Sequence, residues 1–141
     1  MAIEGRSDAA AGRIRLGMVG GGQGAFIGAV HRLAARMDDH YTLLAGALSS
    51  DPDRARASGH GIGLADDRNY SSYPEMAKRE ARLKSGIEAV AIVTPNNMHF
   101  PIAREFLKRG IGLYSWVFGK ISLQMDILPS KNRATRCHSM M

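Results

Sequence analysis

The 141 residues contain one cysteine, Cys137, close to the end. A lone thiol excludes an internal disulfide framework and fits a reducing cytoplasm. No apolar run approaches the roughly 18 residues of a membrane span. The opening stretch, Met1 to Gly12, lacks the apolar core of a secretory signal and reads as a flexible leader. Aromatic residues make up only 6% of the chain, and no aromatic stacking motif accompanies its basic residues. The net charge of +6 therefore reads as solvated helix faces rather than a nucleic-acid footprint. The length suffices for one domain with one core, and is too short for a nucleotide domain plus a full substrate domain.

What is present is an alternation of two periodicities. Ile14 to Val19 is a short apolar run ending in glycines and reads as a buried first strand. Ala25 to Met37 has helical spacing, with Phe26, Ile27, Val30, Leu33, Ala34 and Met37 on one stripe and Arg32 and Arg36 outside it. Tyr41 to Leu48 predicts a second strand. Asp51 and Pro52 then open a second helix, as N-cap and first helical residue, and Gly59 to Gly63 ends it. A turn-rich bridge from Asp66 to Tyr73 has room for a short strand near Asn69 and Tyr70. A surface helix is expected from Pro74 to about Lys84. Ala89 to Thr94 is apolar at consecutive positions, as suits a strand covered on both faces. Pro101 to Arg109 predicts a further helix closed by Gly110, and Ile111 to Phe118 another strand. This order gives an α/β fold, a Rossmann-like doubly wound parallel sheet.

After Phe118 the pattern changes. Gly119 and Lys120 signal a turn, and Ile121, Leu123, Met125 and Ile127 alternate with polar residues as in a strand. Pro129 to Met141 is polar and basic and reads as disordered. The expected division is a leader at 1–12, a dinucleotide-binding domain at 13–118 and an atypical tail at 119–141, with the sheet incomplete at its C-terminal side.

Chemistry concentrates in Gly20-Gly21-Gly22-Gln23-Gly24-Ala25, between the first strand and the first helix. Read as G-x-G-x-x-A, it uses Gly20 for a tight turn, Gly22 for approach of backbone to a pyrophosphate, and Ala25 for close helix–strand packing. Registers beginning at Gly22 or ending at Gly28 also fit. The helix N-terminus behind the loop offers free N–H groups to phosphate. No Gly-Lys-Ser/Thr follows, so a P-loop is excluded. At the end of the second strand, where an NAD-preferring domain usually carries an acid, stand Ser49 and Ser50. Serine does not repel a 2′-phosphate, and Arg54 one turn on could meet it, which leans toward NADP. The same residues also fit plain helix capping, and Asp51 is the ribose acid if the strand runs longer. Thr94-Pro95-Asn96-Asn97-Met98-His99 follows a buried strand at its carboxyl end, where ligands bind in open α/β sheets. His99 could cap the helix or face substrate.

Val19-Gly20-Gly21-Gly22, Ser50-Asp51-Pro52-Asp53-Arg54-Ala55 and Val93-Thr94-Pro95-Asn96-Asn97-Met98-His99 stand in an order and spacing that resembles the glucose–fructose oxidoreductase/inositol dehydrogenase family (Gfo/Idh/MocA), over about Arg13 to Ile111. The resemblance implies an NAD(P)-dependent dehydrogenase or reductase of the sugar and polyol type. It implies that Gly20, Gly22, Gln23, Ala25, Phe26 and Ile27, with Gly24 among them, line the pyrophosphate. Ser49, Ser50 and Arg54 would line the adenosine ribose, and Thr94, Pro95, Asn96 and His99 the nicotinamide half. The family usually continues with a strand ending in Glu/Asp-Lys-Pro, whose lysine handles the proton. That lysine would fall at Val117, with Phe118 for the proline, and Lys120 comes three positions late in a predicted turn. A truncated or frame-shifted product has this form. Trp116 and Cys137 both lie past the point where the likeness stops.

The expected function is therefore the NAD(P)-binding part of a sugar or polyol oxidoreductase, with NAD or NADP as cofactor and no catalytic residue of its own. A non-enzymatic nucleotide-binding or interaction module is the alternative, and self-association through an exposed sheet edge is expected. A methyltransferase using S-adenosylmethionine shares the glycine loop, but not the Thr-Pro-Asn segment.

Overall fold

The computed structural model describes residues 12–37, 39–117 and 120–122. In chain order the elements are β1 (Ile14–Gly20), α1 (Phe26–Met37), β2 (Tyr41–Ala47), α2 (Pro52–Gly61), a 3₁₀ turn (Asp66–Arg68), α3 (Tyr73–Glu80), β3 (Ala89–Val93), α4 (Asn96–Leu107), β4 (Gly112–Val117) and β5 (Lys120–Ser122). The sheet order is β2-β1-β3-β4-β5. The first four strands are parallel, and β5 pairs antiparallel with β4. Order and direction make this the doubly wound α/β arrangement that the strand–helix alternation predicts. The chain moves one way from β1 to β2 and the other way from β3 to β4, so right-handed crossovers put α1 and α4 on opposite faces.

Both faces are covered. Val19, Val90 and Ile92 pack with Met76 and Ala77 of α3 and Ile102 and Phe106 of α4. Leu16, Met18 and Ala91 point the other way and pack with Leu48, Leu64 and Ala35 of α1. Successive residues of β1 thus feed two cores, which is why the strand reads as a continuous apolar run. Fully burying Phe106, which has no exposed surface, is worth about 1.5–3 kcal/mol.

Several local expectations hold in detail. Asp51 is the N-cap of α2: its Oδ1 accepts the Arg54 N–H at 2.8 Å, with Pro52 at the first helical position. Gly110 takes φ +73° after α4, and the Ile111 N–H returns to the Phe106 carbonyl at 3.2 Å. The short strand expected near Asn69 is a single parallel bridge, Gly46 to Asn69.

Other elements differ from expectation. Helix α3 ends at Glu80, short of Lys84. Helix α4 starts at Asn96, and Pro101 lies inside it, where a missing N–H costs one helical hydrogen bond. Lys120 does not sit in the turn: it opens β5, opposite Val117 in the pairing register. Leu123, Met125, Ile127 and the basic tail lie outside the described residues, as does the leader up to position 11.

The largest departure concerns α1. An apolar stripe ordinarily faces the core. Here Phe26, Leu33 and Met37 are 78%, 62% and 77% exposed, and Ile27 and Val30 are exposed as well. The side turned to the sheet carries Gly28, His31 and, half-buried, Arg32 and Ala35. At 100° per residue these two sets lie on nearly opposite sides of the helix. The sheet-facing side is small and polar because a backbone loop, not a side-chain core, lies beneath its first turns.

Candidate functional site

Backbone geometry builds the site. Gly20, Gly21 and Gly24 all have φ between +71° and +82°, the left-handed region that side chains avoid. The turn presses on the end of β3: a Cβ at Gly20 would stand 2.5 Å from the Val93 carbonyl oxygen and 2.8 Å from Thr94 Cγ2. The glycine loop and the Thr-Pro-Asn segment therefore meet at the carboxyl edge of the sheet, the usual ligand-binding edge of such folds.

Two successive peptide units of the loop are held at both ends. In the first, the Gly21 carbonyl accepts from Arg32 Nη1 at 2.8 Å, and the Gly22 N–H donates to the Leu48 carbonyl at 3.0 Å. In the second, the Gly22 carbonyl accepts the Ala25 N–H at 3.0 Å, and the Gln23 N–H donates to Ser58 Oγ at 3.0 Å. Among the described residues, the N–H groups of Gly24, Phe26 and Ile27 have no protein acceptor. Three free donors at the start of a twelve-residue helix are an anion-binding arrangement.

The roles of individual loop residues change accordingly. A Cβ at Gly22 would point at the Leu48 oxygen (2.6 Å) and Ser58 Oγ (2.8 Å), into the brace and not into ligand space. Close helix–strand packing belongs to Gly28, not to Ala25, which is exposed. A Cβ at Gly28 would overlap the oxygen, Cα and carbonyl carbon of Gly21. This selects the register ending at Gly28 among those the sequence leaves open. Nothing lies within 4 Å of a Cβ built on Gly24, so the loop is open there.

The other predicted residues divide into two groups. Ser49 follows β2, and its Oγ accepts the Asp51 N–H at 3.2 Å. Ser50 and Arg54 are exposed. Asp51 is engaged as the cap of α2. At the β3 end, Thr94 Oγ1 is buried with no hydrogen-bond partner. Burying a hydroxyl unpaired is unfavourable by about 1–3 kcal/mol, and Thr94 stands in that state at the edge where the glycine loop meets β3. Pro95 precedes α4 and Asn96 is its first residue, both exposed. His99 turns back on its own helix start: its Nε2 lies 2.8 Å from the Thr94 carbonyl. A carbonyl only accepts, so that nitrogen carries the proton.

Sequence reasoning missed Arg32, Ser58 and Leu48 as builders of the loop, and left Gly28 open as the end of one register. One signal was available. Gly28 and Arg32 are four apart on the side of α1 opposite its apolar stripe, and a glycine there marks close backbone approach.

The residues fit a dinucleotide. There are free N–H donors for a diphosphate, a glycine turn open at Gly24, and an orphaned hydroxyl at the adjoining strand end. Residues 14–115 match the family described as an oxidoreductase family with an NAD-binding Rossmann fold. The chain belongs to this family. The match runs past Ile111 into β4, a little further than the sequence resemblance reaches. An oxidoreductase of Sinorhizobium meliloti is 67% identical, with a TM-score of 0.70 over 73% of this chain and 28% of that one. An inositol dehydrogenase homolog of Azotobacter vinelandii, solved with NAD+, is 42% identical, with a TM-score of 0.72 over 74% of this chain and 27% of that one. The uncharacterized oxidoreductase YfiI of Bacillus subtilis is 37% identical over 99 residues, 70% of this chain and 25% of YfiI. The chain thus spans about a quarter of the length of these relatives and corresponds to their NAD-binding Rossmann domain. No helix among the described residues is long and apolar enough to cross a membrane.

Proposed function

We propose that this chain, taken as domain 13–118, binds a nicotinamide dinucleotide as the cofactor domain of a sugar or polyol oxidoreductase. The observation that carries the proposal is the pair of pinned peptide units, which leaves the N–H groups of Gly24, Phe26 and Ile27 free to take the diphosphate. The adenosine ribose lies toward Ser49 and Ser50, and the nicotinamide half toward Thr94, Pro95, Asn96 and His99. Thr94 Oγ1 gains a polar partner there. The bound dinucleotide supplies hydride transfer at its nicotinamide ring. This chain's residues bind and orient it.

NADP is favoured slightly over NAD. Asp51, the nearest acid, already caps α2, and an exposed Arg54 three residues on supports this reading, since its guanidinium suits a 2′-phosphate. The single cysteine supports a cytoplasmic protein, and the short β5 at the end of the sheet order supports self-association through that edge. A non-enzymatic nucleotide-binding module is the second reading, favoured by one observation: valine, not lysine, stands at position 117.

Isothermal calorimetry of the purified chain with NAD, NADP and S-adenosylmethionine tests the assignment. Saturable binding of either nicotinamide dinucleotide at one site is expected. Binding of S-adenosylmethionine alone, or of none of the three, would overturn it.

A further inference from the structure

We infer that Arg32 is the positioning residue of the glycine loop, and that its uncompensated charge makes the loop selective for a diphosphate. The inference rests on the reading of that loop as the diphosphate site. Arg32 Nη1 donates to the Gly21 carbonyl at 2.8 Å and also lies 3.8 Å from Met18 Sδ. Gly28 stands one turn earlier on the same side of α1 and leaves the space that this carbonyl oxygen fills. The helix thus offers the oxygen a socket, with room from Gly28 and a proton from Arg32. Gly21 is buried, so without Arg32 its carbonyl would have to move toward water to be satisfied. Gly21 and Gly22 have no side chains to resist such a movement. The donors of Gly24, Phe26 and Ile27 follow directly along the chain and would move with it.

The other half-buried arginines meet carboxylates: Arg13 with Asp39, Arg15 with Glu88, Arg68 with Glu80. Arg32 is half-buried, and among the described residues its acceptors are a carbonyl and a thioether, with no carboxylate. A guanidinium removed from water and left unneutralised is unfavourable in the empty domain. An anion brought to the same loop relieves it, and because the group is only partly buried this attraction weakens as salt rises. This separates Arg32 from a plain packing residue: its contribution should follow the ligand's phosphates.

The test uses the whole chain and the variants Arg32→Met, Arg32→Gln and Arg32→Lys. ADP-ribose, which has the diphosphate, is titrated by calorimetry, and adenosine, which lacks it, by ligand-observed NMR. Arg32→Met should weaken ADP-ribose about tenfold, the scale of one hydrogen bond to a charged group. Adenosine binding should not change. Lysine should restore most of the loss, and the salt dependence of ADP-ribose binding should be shallower in Arg32→Met than in the parent. If Arg32→Met does not fold, the comparison of glutamine, a neutral donor, with lysine carries the same test: lysine should bind ADP-ribose more tightly. Parental ADP-ribose affinity in Arg32→Met, equal losses for both ligands, or glutamine matching lysine would each overturn the inference. A parent chain that does not bind ADP-ribose would instead remove the diphosphate site on which it rests.

Discussion

Glu80 receives Arg68 through both carboxylate oxygens, at 2.7 and 2.6 Å, with the Glu80 side chain entirely out of solvent. The same carboxylate accepts the Tyr70 hydroxyl at 2.7 Å and the Ile87 N–H at 3.0 Å. One side chain at the end of α3 therefore fixes the 3₁₀ turn, the Asn69–Tyr70 segment beside β2, and the entry to β3. Burying a carboxylate is costly unless every lone pair is used, and here four donors use them.

From this network we predict that Glu80→Ala destabilises the fold by about 3–5 kcal/mol, because it leaves Arg68 and the Ile87 N–H without their acceptor. Denaturant unfolding measures the difference. A loss below about 1 kcal/mol, as for an exposed ion pair, would show that the network contributes little.

Stability should fall toward both ends of the pH range, for different residues. His31, on the sheet-facing side of α1, has its pKa lowered from 6.5 by burial. A group whose folded pKa is depressed contributes stability above its unfolded value, and that contribution is lost as pH falls below it. Tyr70 has its pKa raised above 10.0, first by burial and then by Glu80. A raised pKa reverses the sign: its contribution is complete below pH 10.0 and is lost as pH rises further. Melting temperatures of the parent should drop below pH 6.5 more steeply than those of His31→Gln, and above pH 10.0 more steeply than those of Tyr70→Phe. Parallel curves for parent and variant would contradict the assignment.

The strands and the carboxyl-edge site were legible because they rest on local signals. An apolar run buried on both faces, a proline after an Asp cap, and a glycine after a helix each have one dominant meaning. The face of α1 was not legible. Phe26, Leu33 and Met37 form an apolar stripe that propensity and periodicity direct inward, and tertiary structure turns it outward. The close approach of Gly28 to Gly21 sets the helix's rotation, and its one mark in the sequence, a glycine four residues before Arg32, is weaker than the stripe itself. Ser58 and Leu48 escaped notice for a related reason, since their contacts reach across the fold to Gln23 and Gly22. Lys120 was misplaced because Gly119-Lys120 reads as a turn, while the register puts Lys120 in β5.

The glycines of the loop should respond to substitution in a definite order. Gly28→Ala drives a methyl group into the backbone of Gly21, which no rotamer relieves, and should destabilise by about 3 kcal/mol. Gly24 has open space but φ +82°, so Gly24→Ala should cost only the left-handed strain of about 1–2 kcal/mol. Gly22→Val presses on Leu48 and Ser58 and should impair stability and cofactor binding together. Thermal unfolding of the three variants ranks them. Equal stability of Gly28→Ala and Gly24→Ala would sink the packing argument.

Cofactor choice turns on the end of β2. Asp51 spends one carboxylate oxygen on the Arg54 N–H, and Arg54 is exposed in the first turn of α2. NADP should bind at least as tightly as NAD. Arg54→Ala should weaken NADP by about two- to fivefold, the modest range of an exposed charge contact, and leave NAD nearly unchanged. A strong preference for NAD in the parent that persists in the variant would refute this.

The 141-residue chain by itself should not catalyse dehydrogenation. A bound dinucleotide is one reactant, and the second must be held against it. Orientation of a polyol can account for many orders of magnitude in rate. The match to the Azotobacter vinelandii protein covers 27% of that protein's length, the part that corresponds to the dinucleotide-binding domain. A proton must also leave the substrate hydroxyl as the hydride leaves its carbon. The lysine that the family resemblance assigns to that task would fall at position 117, where a valine stands, and a valine has no proton to exchange. Lys120 is the nearest following lysine. It opens β5, and the antiparallel register sets it beside Val117 across the β4–β5 pairing. The pure chain is to be incubated with NAD or NADP and a mixture of sugars and polyols, with reduced nicotinamide followed by its absorbance. No turnover is expected. Steady turnover that disappears in Lys120→Ala would overturn the prediction and make Lys120 the group that moves the proton.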